Sequence, residues 1–342
     1  MVGTSAIKSV QNLEHQLAKV RLCHQRYLHR QSSIDYANKV SQQLTLDGDL
    51  YTLPKTSAAN TLRHIASIRM FGDDLQWSKN FTQAWELSLQ SKNMATIAQT
   101  AASMANLYES QKAPNPINRF RFAAMQVGYS AAALSEIPGL WAVFVSIYGD
   151  GLNRTGATSQ AMRAFQQTDI SSRKELSNVV PDLLGSILYK EAINAFSQRD
   201  LRRADHALNA CREHSADNEY HIFECLLLAA KIETVRYNFR SAAKFIEEAQ
   251  LLSDDHPLNR TATTKVIDTW RALQSRRSAS GRPLPFFPPR AISPISVART
   301  YKLARSLDEV RHHLPANLAS STPRFATAMR INDFLNHGLV TS

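Results

Sequence analysis

The chain has 342 residues, a net charge of +11, 44% hydrophobic and 20% charged side chains, which is the make-up of a globular protein able to bury a substantial core. Eleven glycines and thirteen prolines are too few for a loop-dominated all-β fold, and the abundance of Ala, Leu, Gln, Ser and Arg suits helices. Cys23, Cys211 and Cys225 are odd in number and form no C-x-x-C pair, which excludes a disulfide framework and fits a reduced compartment.

The opening stretch, MVGTSAIKSVQNLEHQLAKV, lacks the apolar core of a signal peptide, and Glu14 with an early helix pattern argues against a transit peptide. An intracellular protein, cytoplasmic or nuclear, is expected. Next, IDYANKVSQQL sets Ile34, Ala37, Ser41 and Leu44 on one helical face. The helical stretch TLRHIASIRMFGDDLQWS then precedes FTQAWELSLQS, with Phe81, Ala84, Ser88 and Ser91 at similar offsets. MATIAQTAASMANLYESQ precedes RFRFAAMQVGY, with Phe120, Ala123 and Val127. GLWAVFVSIYGDGL precedes ATSQAMRAFQQT, with Thr158, Ala161, Phe165 and Thr168. LLGSILYKEAINAFSQ precedes LRRADHALNAC, with Leu201, Ala204, Leu208 and Cys211. IFECLLLAAKIETVRYN precedes FRSAAKFIEEAQLL, with Phe239, Ala242, Ile246 and Ala249. The alanines at 37, 84, 123, 161, 204 and 242 stand 47, 39, 38, 43 and 38 residues apart, so the spacing predicts a recurring pair of antiparallel helices joined by a short turn.

This recurrence resembles the tetratricopeptide repeat. That family has a small residue opening helix B, a large apolar one four later and a small one three after that. It also has a small residue near the middle of helix A, where Gly72, Ala105, Gly149, Ala192 and Ala230 stand here. The resemblance covers roughly residues 10 to 260. The family's tryptophan and closing proline are mostly missing, and the spacing exceeds the usual ~34 residues, as in longer-helix relatives. The fold it implies is all-α: a right-handed α-solenoid of about six helix pairs over residues 1–277, closed by a capping helix at 261–277. The function it implies is that of a non-enzymatic adaptor or scaffold subunit in a multi-subunit complex, holding a segment of a protein partner in its concave groove. Helix A residues would build that groove, with Arg69, Asn106, Tyr108, Tyr189, Asn194 and Lys231 as candidates.

GDGLNRTGAT, residues 149 to 158, nearly matches the phosphate-binding pattern G-x-x-x-x-G-K-[ST], with Gly151 and Gly156 as its glycines. Ala157 occupies the place of the lysine that would reach the β- and γ-phosphates, and no strand precedes it. The stretch reads as a helix end and a turn, with Thr158 or Ser159 capping the next helix. His206, Cys211, His214, His221 and Cys225 are crowded, but helices explain their region and Cys211 sits at a core position. Asp73-Asp74, Glu247-Glu248 and Asp254-Asp255 read as solvated surface, and no Ser-His-Asp arrangement stands out. No catalytic group, metal or cofactor is expected.

Residues 278–296 form a proline-rich strap or linker, in which five prolines between 283 and 294 end the helical array. Pro285, Pro288 and Arg290 fit the polyproline pattern P-x-x-P-x-R, while Phe286 and Phe287 favour a strap packed on the helices. Residues 297–342 read as basic amphipathic helices carrying Arg299, Lys302, Arg305 and Arg311. From residue 261 onward twelve Lys and Arg face four Asp and Glu, so an alternative reading gives this segment a nucleic-acid contact. No apolar run is long enough to span a bilayer, and no membrane span is expected.

Overall fold

A computed structural model describes residues 3–46, 53–72, 76–109, 115–133, 141–155, 161, 181–215, 217–254 and 256–279. These residues are all-helical. The helices are α1 (Gly3–Arg26), α2 (Gln31–Leu46), α3 (Lys55–Arg69), α4 (Trp77–Ser91), α5 (Met94–Glu109), α6 (Pro116–Ala133), α7 (Trp141–Arg154), α8 (Pro181–Ser197), α9 (Leu201–His214), α10 (Glu219–Val235), α11 (Phe239–Leu251) and α12 (Arg260–Ser278). Among the described residues no helix is long and apolar enough to cross a membrane. The expected strap and basic helices, with Pro285, Pro288, Arg290, Arg299, Lys302, Arg305 and Arg311, lie outside the described residues.

Consecutive helices pack as pairs, notably α5 with α6, α8 with α9, and α10 with α11. The reason is the apolar stripe at i, i+4 and i+7, which each helix must bury against a neighbour. All six recurring alanines, at 37, 84, 123, 161, 204 and 242, are 0% exposed. Ala242, Ile246 and Ala249 of α11 show how the stripe works, packing with Phe223, Leu226, Leu227 and Ala230 of α10 and with Ala262, Val266 and Leu273 of α12. Ala105, Ala192 and Ala230 are fully buried too. Gly72 differs from expectation: it lies beyond the end of α3, not within a helix. A Cβ there would stand 2.9 Å from Ile34 Cγ2, so the glycine lets α2 approach the turn.

The turns recur as well. Lys92, Arg199 and Tyr237 have φ of 54°, 65° and 64°, each just past a helix end. After α8, the Asp200 N–H reaches back to Ala195 O at 3.0 Å; after α10, the Asn238 N–H reaches Glu233 O at 2.9 Å. These are helix-ending motifs in which one left-handed residue lets the last carbonyls find donors. The next residue is polar each time, and Asn93 and Asp200 accept from Thr96 and Arg203 N–H groups at 2.9 and 3.1 Å.

The chain forms two compact units. The first comprises Met1–Ala84 and Ser215–Arg282 and is therefore discontinuous. The corner between α1 and α2 is clasped by the loops that start α10 and α12. Asn218 caps α10 by accepting from His221 N–H at 3.0 Å, and its amide donates to Gln25 O at 2.9 Å. Asn259 caps α12 by accepting from Ala262 N–H at 2.8 Å, and its amide donates to Leu28 O. The Asn259 N–H donates to His29 O at 2.8 Å, and Gln31 N–H to Pro257 O at 3.0 Å. Arg30 pairs with Glu219. These partners lie 189 to 231 residues apart along the chain. A stack in which each pair touches only its neighbours does not by itself produce such contacts.

The described part of the second unit runs from Trp85 to His214 and holds α5 to α9. Here Gly151, the first glycine of the near-phosphate pattern, lies inside α7. A Cβ on it would meet Val127 Cγ2 at 2.9 Å and Ala123 O at 3.2 Å, both on α6. Its missing side chain serves a close helix crossing. Gly156, Ala157 and Thr158 lie outside the described residues.

Two substitutions test these contacts. Gly151→Ala is expected to lower stability by about 1–2 kcal/mol, because overpacking outweighs the ~1 kcal/mol that alanine gains within a helix. Combining it with Val127→Ala should cost less than the two single losses added, in urea denaturation. Asn259→Ala removes a cap and strands the Leu28 carbonyl, so a loss of about 2–4 kcal/mol is expected in the same measurement.

Candidate functional site

Two polar centres form where helices meet, one in each unit. In the second unit, Asn106 and Glu109 stand one turn apart on α5, and Asp150 and Arg154 one turn apart on α7. Arg154 joins them all. Its Nε donates to Glu109 Oε2 at 3.2 Å, its Nη1 to Gln126 Oε1 at 3.0 Å, its Nη2 to Asn106 Oδ1, and it pairs with Asp150. Gln126, fully buried on α6, donates from its amide to Ile147 O at 2.7 Å and to Asp150 at 3.2 Å. Arg119 approaches the other Glu109 oxygen at 3.6 Å.

Burial alone would raise the Asp150 carboxyl, but Arg154, Lys190 and the hydrogen bonds from Gln126 and Arg154 outweigh it and hold it below the usual carboxylate value. Burial lowers the Lys190 ammonium on α8, and Asp150 offsets part of that shift. Asn106, Glu109 and Arg119 form an accessible rim over the more buried Arg154 and Asp150. This rim offers an amide, a carboxylate and a guanidinium within a few ångströms, a set suited to bonding a peptide backbone and its polar side chains.

In the first unit, Lys265 of α12 pairs with the buried Glu224 of α10. Its ammonium lies 5.8 Å from the Phe71 ring centroid and 5.9 Å from that of Tyr220, so two aromatic faces and one carboxylate surround it. Burial would lower Lys265, but Glu224 outweighs it and raises the ammonium above its ordinary value. Burial, reinforced by Glu224, pushes the Tyr220 hydroxyl up to about 12. Lys231, also on α10, is lowered by burial and partly restored by Glu224.

The expected groove residues divide between the units. Arg69 and Lys231 belong to the first, and Asn106, Tyr108, Tyr189 and Asn194 to the second. Asn106 and Lys231 take part in the two centres. Tyr108 is half-buried and stacks on Phe122 at 5.7 Å, and Tyr189 is half-buried beside Lys190. Arg69 and Asn194 need correcting, being 4% and 1% exposed. Arg69 donates to Ser41 Oγ and Asn80 Oδ1, both at 2.9 Å, tying α3 to α2 and α4. Asn194 accepts at 3.3 Å from Gln198, just past the end of α8. Arg154, Asp150, Glu109, Glu224 and Lys265 were missed, although the i, i+4 spacing of Asp150 and Arg154 was available as a signal.

Cys211 donates its thiol to Gly185 O, and among the described residues no group of three or more His, Cys, Asp or Glu is placed to hold a metal ion. No protein-family model, curated protein or solved structure matches this chain.

Asp150→Asn is expected to destabilise the protein by about 1–3 kcal/mol at neutral pH, since it leaves Arg154 and Lys190 short of a counter-charge. A depressed carboxylate stabilises above its unfolded value and loses that contribution as pH falls through its folded value. The gap between wild type and variant should therefore be constant above about pH 5 and narrow below about pH 4 in paired urea titrations.

Proposed function

We propose that this chain is a non-enzymatic adaptor or scaffold subunit that binds an extended or helical segment of a partner protein. In this reading the helix pairs are tetratricopeptide-like and belong to a right-handed α-solenoid of about six pairs. The observation that carries it is the recurrence of a fully buried alanine in every repeat frame, from Ala37 to Ala242. The accessible rim of Asn106, Glu109 and Arg119 lies on α5 and α6. The polar groups of both centres already engage one another, which suits recognition more than turnover.

A second reading rests on charge. The excess of Lys and Arg from residue 261 onward gives that segment the composition of a phosphate-binding surface. The two readings separate in one experiment. Full-length protein is purified from cells with and without nuclease, alongside a variant carrying Asn106→Arg and Glu109→Arg and another with Arg299, Lys302, Arg305 and Arg311 changed to Ser. The adaptor reading expects a co-purifying protein that survives nuclease, persists with the serine variant and falls at least about tenfold with the rim variant. Loss with nuclease and with the serine variant, but not with the rim variant, would make nucleic acid the ligand and overturn it.

A further inference from the structure

Three histidines of the first unit, His29 and His64 buried and His24 half-buried, are placed in a way that neither proposed function uses. His29 sits in the corner between α1 and α2 and is 0% exposed. Its ring stacks on Phe223 of α10 at 5.4 Å and 10°, and neither ring nitrogen has a hydrogen-bond partner. The carboxylate of Glu219 lies 3.6 Å from its Nε2. That carboxylate already accepts from Arg30, which also faces the ring. Glu224 is the remaining charged group of α10 acting on it.

The other two meet between α1 and α3. His24 and His64 approach at 2.6 Å, Nδ1 to Nδ1. Arg63 stands 3.1 Å from His64 Nε2. A guanidinium only donates, so His64 Nε2 accepts and its proton is on Nδ1. His64 Nδ1–H then donates to His24 Nδ1, which leaves the His24 proton on Nε2. The chain Arg63 to His64 to His24 therefore exists only with both rings neutral. A proton added at His64 Nε2 would meet Arg63, and one added at His24 Nδ1 would meet the His64 N–H. Arg21 of α1 adds positive potential at the pair.

We propose that α1 and the corner after it form an acid-released arm: neutral His24, His29 and His64 hold it against α3 and α10, and proton uptake by these imidazoles sets it free. Burial, then Arg63, lowers His24 to about 3, and burial, then Arg30, lowers His29 to about 4. Burial also lowers His64, with Arg63, His24 and Arg21 adding to it. In the released arm all three return to roughly 6.5. Below that value the released state binds protons the closed state refuses, so closure weakens as pH falls from about 6.5. Between pH 7.5 and 5.5 each imidazole multiplies the opening constant roughly tenfold, and three together roughly a thousandfold.

Native-state hydrogen exchange of the full chain at pH 7.5 and 5.5, corrected for intrinsic exchange rates, tests this on peptides spanning residues 12–31. The reference is α9, whose protection should change little. Wild type is expected to show the roughly thousandfold rise in opening. His29→Phe keeps the stack but cannot titrate, and the rise should fall to roughly a hundredfold. His24→Gln with His64→Gln should leave roughly tenfold, and the triple variant almost none. A wild-type rise within threefold of that in α9 overturns the proposal. So does a wild-type response retained by the triple variant or, should that variant not fold, by both of the others.

Discussion

Packed helices lie roughly 8–10 Å apart, and they reach the short end of that range only where the side chains at their crossing are small. That constraint organises most of this molecule. Fully buried alanines stand at residues 37, 84, 123, 161, 204 and 242, and Gly151 takes the same duty to its limit where α6 and α7 cross. Longer apolar side chains such as Ile246 then reach the neighbouring helix without forcing it away. The short turns complete the arrangement. A single left-handed residue at Arg199 or Tyr237 reverses the chain while its neighbours satisfy the last carbonyls of the helix.

The first unit adds a different device. Asn218 and Asn259 each cap a helix with the side-chain oxygen and bind the α1–α2 corner with the side-chain amide. One residue type thus sets where α10 and α12 begin and where α1 and α2 attach. The Arg30–Glu219 pair and the stack of His29 on Phe223 join the same corner to α10. Few of these contacts are apolar, so the join depends on directional bonds more than on buried area.

The helices and their buried faces were legible in the sequence because their signal is local and periodic. Ala204 and Leu208, or Ala242 and Ile246, announce their face within one turn. The end of α12 was legible too, since prolines follow shortly after Ser278. What failed to show was non-local. Nothing near Asn259 points to Leu28, and no period links Glu219 to Arg30. Arg69 was misplaced because a long polar side chain in a helix frame reads as surface; only the tertiary fold supplies Ser41 and Asn80 to receive it. Gly72 was expected near the middle of a helix over residues 61–78, but α3 ends at Arg69 and the next helix begins at Trp77; a glycine after an apolar run fits a helix crossing and a turn alike.

The separation between the corner and its clasp also has a consequence in time. Leu28 leaves the ribosome 231 residues before Asn259, its partner. At about 5–20 residues per second, that interval is roughly ten to fifty seconds. Throughout it, the faces of α1 and α2 that carry Val20 and Ile34, with Leu28 in the corner between them, have α3 as their packing partner. The Trp85–His214 part of the second unit is synthesised within the wait. Until the C-terminal helices emerge, the nascent first unit therefore exposes apolar helix faces of the kind that chaperones shield.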